Sequence, residues 1–138
     1  MDKCVSRILL SEKHIKITKQ RVIVLDFILS RKSPFTVNDI YNDMKKKLDV
    51  VTIYRNLKLF SENKILREVM NCDEGQYYEL SCEHNPAHPH FYCDSCKKIF
   101  CVKTKKNFPN VNKISVDGDF LVKGAVLYLT GLCPDCKG

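Results

Sequence analysis

No apolar run in this sequence approaches the roughly 20 residues that a helix needs to cross a bilayer, so a helical membrane span is excluded and a soluble chain without a membrane partner is expected. An export signal is missing as well: Met1-Asp2-Lys3-Cys4 leads only to a brief apolar patch, Ile8-Leu9-Leu10, and a cytoplasmic location follows as the expectation. There is no internal repeat and no low-complexity tract. Deaminase and protease motifs are absent too, which argues against an enzyme. The second half lacks net charge. Residues 71–138 hold 8 Lys+Arg against 8 Asp+Glu, whereas residues 1–70 hold 15 against 8 and so carry the whole formal excess of +7.

A basic field confined to one half suits a polyanion, and nucleic acid is the first candidate because each neutralised phosphate releases condensed counterions. An ordinary basic domain would look the same by charge alone. At 138 residues the chain makes one domain or two small ones, short enough that a structural metal would help a modest core.

What is present in unusual amount is cysteine, eight in all. Cys93-Asp94-Ser95-Cys96 and Cys133-Pro134-Asp135-Cys136 are two C-x-x-C knuckles. Two-residue spacers let both sulfurs of a knuckle reach one ion, and Zn²⁺ takes four thiolates in a tetrahedron. Two disulfides in a secreted chain are the alternative. Without an export signal, structural zinc in a reducing compartment is the better reading.

The first half patterns as helices. Arg21 to Leu29 is apolar nearly all round, as a central buried helix would be, and Ser33-Pro34 ends it. Thr36 is suited to cap a helix over Val37 to Leu48, with Val37, Ile40, Tyr41, Met44 and Leu48 at helical spacing. Asp49 caps a third helix, in which Val51, Tyr54, Leu57 and Leu59-Phe60 are expected inside and Arg55, Asn56 and Lys58 outside. Ile65 to Met70 and Gln76 to Leu80 then flank the hairpin signal Asp73-Glu74-Gly75. Three helices and a hairpin make a winged helix, whose last helix enters a major groove. The expected fold is therefore α+β: a winged-helix DNA-binding domain over 1–80, a hinge over 81–89 with its prolines, and a small α/β domain over 90–138 carrying the Cys4 zinc site. In that last domain His90–Cys93, Ile99–Val102 and Phe120–Thr130 are expected as strands, with at most a short helix between the second and third.

On the third helix, Thr52 near the N-terminus suits a phosphate, the Tyr54 ring suits a thymine methyl, and Arg55 can fork onto guanine or phosphate. Chemistry alone also allows Tyr54 in the core and Arg55 as a solvated charge. His88-x-His90 puts two imidazoles on one side of an extended segment, with Glu79, Cys82 and Cys101 as nearby donors. These compose a second metal site or, on spacing alone, a pair of surface histidines.

Four ordered stretches carry a resemblance: Thr18-Lys19-Gln20-Arg21, Thr52-Ile53-Tyr54-Arg55-Asn56-Leu57, His88-Pro89-His90-Phe91-Tyr92-Cys93-Asp94-Ser95-Cys96, and Gly131-Leu132-Cys133-Pro134-Asp135-Cys136. Together they resemble the motifs of the ferric uptake regulator family, from about residue 15 to the end of the chain. The resemblance implies a metal-dependent, homodimeric repressor that binds a double-stranded DNA operator, with a C-terminal dimerisation domain. It implies that Tyr54 and Arg55 lie on the recognition helix, that Lys16 reaches the minor groove, and that Arg21 serves at most as a phosphate clamp. It also makes Glu79 the carboxylate of a regulatory site with His88 and His90, and puts Cys82 where the zinc-sensing branch carries a ligand. Glu68 could join in that branch. Position 101 usually holds an acid in the family and here holds Cys101, and the helix-borne histidine expected near Pro34 and Phe35 is absent. Thiolates in place of an acid and a histidine make the set softer, which favours Zn²⁺ over Fe²⁺ or Mn²⁺. A thiol redox switch, a zinc-ribbon adaptor and a zinc enzyme using Glu79 or Glu83 as acid/base are the rival readings.

Overall fold

In the computed structural model the described residues are 5–31, 33–82, 85–103, 113–123, 125 and 127–138. The chain divides into two units, Met1–Pro86 and Ala87–Gly138, the division falling inside the 81–89 segment.

The first unit packs helices α1 (Ser6–Glu12), α2 (Lys19–Leu29), α3 (Val37–Asp43) and α4 (Val50–Glu62) against a hairpin of β1 (Leu66–Cys72) and β2 (Gly75–Leu80). α1 is an element that the sequence reading did not anticipate; its Leu10 is buried in the core. Thr18 caps α2 by accepting from the Arg21 N–H, so the helix opens at Lys19, two residues earlier than expected. Thr36 and Asp39 form a reciprocal capping box at the start of α3. That helix stops at Asp43 instead of Leu48, because Lys45 and Lys46 both take left-handed backbone conformations. Met44 nevertheless stays buried beside Ile40.

α4 turns its stripe differently from the expected one. Ile53, Leu57 and Phe60, at i, i+4 and i+7, are fully buried, whereas Val51 and Tyr54 face outward and Asn56 is inside. Asn56 resolves its burial by donating from Nδ2 to the Thr52 carbonyl at 2.8 Å. The core gathers Leu10, Val24, Leu25, Ile28, Ile40, Ile53, Leu57, Phe60 and Leu66 over the inner face of the hairpin. Cys72 pairs with Gly75 across a turn at Asp73-Glu74, and Gly75 takes φ +116°, a conformation that strains side-chain-bearing residues. A bulge between Glu68 and Met70 lets the successive residues Val69 and Met70 both be buried. Phe35 adds a bridge to Tyr78, with backbone bonds in both directions and the two rings stacked at 6.2 Å.

The second unit holds a three-stranded sheet in the order β4-β3-β5, from β3 (His90–Cys93), β4 (Ile99–Cys101) and β5 (Tyr128–Gly131). β3 runs antiparallel to β4 and parallel to β5. The strand expected over Phe120–Thr130 is confined to its end, since among the described residues nothing pairs with Phe120 to Val122, which stand exposed. The short helix expected between the last strands falls largely on residues 104–112, outside the described residues.

Candidate metal centres and nucleic-acid face

The sheet of the second unit sets the cysteines. Parallel pairing places Cys93, at the end of β3, opposite Gly131, at the end of β5, so that each strand delivers its knuckle to the same corner. The Asp94 N–H donates to the Gly131 carbonyl at 2.8 Å and locks the two loops together. The sulfurs of Cys93, Cys96, Cys133 and Cys136 all lie within 4.8 Å of one another, and none of the four is in a disulfide. Cys96 and Cys133 approach to 3.9 Å between sulfurs. A tetrahedron with Zn–S bonds of about 2.3 Å has edges of about 3.8 Å, so the cluster already has the dimensions of a zinc cage. Four thiols gathered about one point suit a single ion better than two separate disulfides.

The cluster's protons carry the same message. The backbone N–H groups of Cys133 and Cys96 both donate to Cys93 Sγ at 3.5 Å, and these bonds hold its thiol down at about 6. Cys136 is pushed up to about 12, chiefly by its hydrogen bond with Cys133. One thiolate is thus prepared, while further charge in the same corner is opposed until a cation neutralises it.

A second donor group forms on the same sheet. His90 is paired in register with Cys101 across β3 and β4, which brings their side chains to one face. The extended backbone continues upstream, where the Val102 N–H donates to the Pro89 carbonyl, and so carries His88 to the side of His90 with ring centroids 4.5 Å apart. Ligand atoms of His88, His90 and Cys101 lie within 4.8 Å of one another. His90 is buried and Cys101 exposed. Two imidazoles and a thiol are a borderline-to-soft set that fits a divalent transition metal. Cys82 belongs to the first unit, where it forms an isolated bridge with Asn85.

Glu79 sits on β2 of the first unit, with its side chain only 6 % exposed. It is opposite Arg67 in the hairpin register and accepts from that guanidinium, Nε and Nη2 both reaching Oε2 at 2.6 Å. A buried carboxylate requires such a partner, since an uncompensated charge would be costly. Glu68, next to Arg67 on β1, is exposed.

The nucleic-acid candidates gather on the first unit. Asp49 caps α4 by accepting from the Thr52 N–H at 2.6 Å; hydrogen bonds from the Thr52 side chain and backbone keep its carboxyl below the ordinary value. Tyr54 is 50 % exposed and is therefore not a core residue. Arg55 is exposed, and it lines a cleft of about 500 Å³ together with Thr18, Lys19, Arg21, Thr52 and Asn56. Arg21 uses Nη1 to hold the Lys16 carbonyl at 2.7 Å, which ties the arm bearing Lys16 to the base of α2. Val50 and Val51 are the feature that the sequence reading missed: at 41 % and 56 % exposure they extend the apolar front of Tyr54. The N-cap at Asp49, followed by the i, i+4, i+7 stripe from Ile53, would have revealed it.

The family model described as the Ferric uptake regulator family matches residues 12–129. The ferric uptake regulation protein of Campylobacter upsaliensis is 28 % identical over 134 residues, spanning 94 % of this chain and 85 % of that protein. The peroxide operon regulator of Bacillus subtilis is 27 % identical over 136 residues, with 93 % and 88 % covered. Among solved structures, the ferric uptake regulator of Vibrio cholerae superposes with a TM-score of 0.71 at 22 % identity over 92 % of this chain and 98 % of that one, a likeness of fold.

Proposed function

The chain belongs to the ferric uptake regulator family of metal-dependent transcription regulators, and from that premise we propose that it is a zinc-responsive, homodimeric repressor whose second metal site controls its grip on an operator. The observation that carries this reading is the donor chemistry of the second group: two imidazoles are joined by a thiol at position 101, and no histidine stands at 34 or 35. Cys93, Cys96, Cys133 and Cys136 would hold a permanent zinc that stabilises the second unit. His88, His90 and Cys101, with the Glu79 carboxylate that the family pattern supplies, would hold the exchangeable ion. When bound, that ion supplies cross-linking of its ligands and nothing more, which favours whichever conformation presents all of them.

The protein's own residues do the rest. The DNA-facing set is Lys16, Arg21, Thr52, Tyr54 and Arg55, supported by the exposure of Tyr54 and Arg55 and by the cleft that joins Arg55 to Arg21. Exposed Val116, Phe120, Leu121, Val122 and Leu129 offer the second unit an apolar surface to bury against a second copy, Phe120 and Leu121 being 74 % and 83 % exposed. A dimer then matches two half-sites on one duplex. Metal analysis of the purified protein tests the ligand assignment: two ions per chain are expected, one resistant to mild chelation. A single ion would suit a zinc-ribbon adaptor instead. Titrating the stripped second site with Zn²⁺, Fe²⁺ and Mn²⁺ while following operator binding decides the metal, and a response to Fe²⁺ or Mn²⁺ at lower concentration than to Zn²⁺ would overturn the zinc assignment.

A further inference from the structure

Arg67 occupies an unusual position in the first unit. Its Nε and Nη2 converge on a single oxygen of the buried Glu79, at 2.6 Å each. The same Nη2 also donates to the carbonyls of Asn85 at 2.8 Å and Pro86 at 3.1 Å. One side chain therefore grips both Glu79 and the segment that leads, two residues later, into His88-Pro89-His90. Asn85 reinforces that segment by donating from Nδ2 to the Leu80 carbonyl at 2.8 Å, next to Glu79 in sequence. Side chains that hydrogen-bond a ligating carboxylate fix its orientation and its charge, and removing them typically lowers metal affinity about 10–100-fold.

Resting on the reading of Glu79 as a regulatory ligand, we propose that Arg67 is the positioning residue of the second metal site: it fixes Glu79 through Oε2 and ties the carboxylate to the backbone at 85–86. Lysine cannot reproduce this. It offers a compact ammonium in place of a planar fork, so it keeps the charge and loses the simultaneous hold on carboxylate and carbonyls.

The test is a double-mutant cycle on the full chain with the Cys4 zinc retained, using Mn²⁺ and Zn²⁺ as probes against a competing chelator. Arg67→Ala is expected to weaken second-site binding about 10–100-fold, with Arg67→Lys intermediate. Glu79→Gln should also weaken it, and Arg67→Ala combined with Glu79→Gln should be no weaker than Glu79→Gln alone, because both act through one carboxylate. Retention of the Cys4 zinc and an unchanged far-UV spectrum report folding. If Arg67→Ala does not fold, Arg67→Lys decides, with wild-type affinity overturning the proposal. Unchanged or tighter binding by Arg67→Ala, or additive losses in the double variant, overturns it while leaving Glu79 a ligand. Unchanged binding by Glu79→Gln overturns the ligand assignment and this inference together.

Discussion

Cys133 is the residue whose loss should be felt most widely in the second unit, since its sulfur belongs to the cluster and its N–H donates to Cys93 Sγ. Cys133→Ser is expected to lose the tightly held zinc and to unfold the Ala87–Gly138 unit, as zinc content and near-UV dichroism would show. At the other pole, Arg55→Ala should cost about 1–3 kcal/mol in operator affinity if Arg55 forks onto a base, and should mainly reduce the salt slope by about one if it touches phosphate. A binding titration at several salt concentrations separates the two, and unchanged binding would remove Arg55 from the interface. Much at this scale was legible. Each C-x-x-C knuckle was legible because a two-residue spacer lets both of its sulfurs reach one ion, whereas the shared corner of the two knuckles follows from the pairing of β3 with β5. Spacing could not show that Cys101 stands opposite His90, because that depends on strand register, which no local pattern encodes. Arg67 was invisible for the same reason, its partner lying across a bulged hairpin.

The helices of the first unit are set by their caps and by one buried stripe. Thr36→Ala removes the side-chain half of the capping box on α3, the bond from the Asp39 N–H to Thr36 Oγ1, while the Thr36 N–H keeps its bond to the Asp39 carboxylate; it is expected to destabilise the unit by about 1 kcal/mol, seen as a lower denaturant midpoint at unchanged slope. Leu57→Ala, in the centre of the α4 stripe, should cost about 2–5 kcal/mol, whereas Val51→Ala should leave stability nearly unchanged because its side chain is exposed. Equal costs for the two would contradict the observed face of α4. The cap at Asp49 adds a pH signature. Its carboxyl is held below the ordinary value of 3.8, so the stabilisation is complete above 3.8 and is lost as pH falls through the lower folded-state value. Asp49→Asn should flatten that acid limb in hydrogen exchange of the first turn of α4. Periodicity and cap residues gave the existence of α2, α3 and α4. They could not give the early end of α3, which follows from two lysines in left-handed conformation, nor the outward turn of Val51 and Tyr54. An apolar residue at a helix start looks like core until the buried stripe is known.

At the scale of the whole chain, charge and cysteine divide along the sequence: the excess of +7 lies in residues 1–70 and both C-x-x-C knuckles in the neutral remainder, a contrast that the two compact units follow. What the sequence could not convey was that, among the described residues of Phe120–Thr130, only Tyr128 to Thr130 lie in a strand while Phe120 to Val122 stand exposed, because an apolar run reads alike whether it is paired or not. The central claim is that an exchangeable ion held by His88, His90 and Cys101 with Glu79 governs DNA binding, while the Cys4 zinc only maintains the fold. The most direct measurement is operator affinity of the same preparation before and after a mild chelator has emptied the second site, with the remaining zinc and the dimer mass checked in parallel. The account predicts at least a tenfold loss of affinity, about 1.4 kcal/mol, restored by adding Zn²⁺, with one zinc per chain and the dimer intact throughout. Equal affinity with and without the second ion would contradict it.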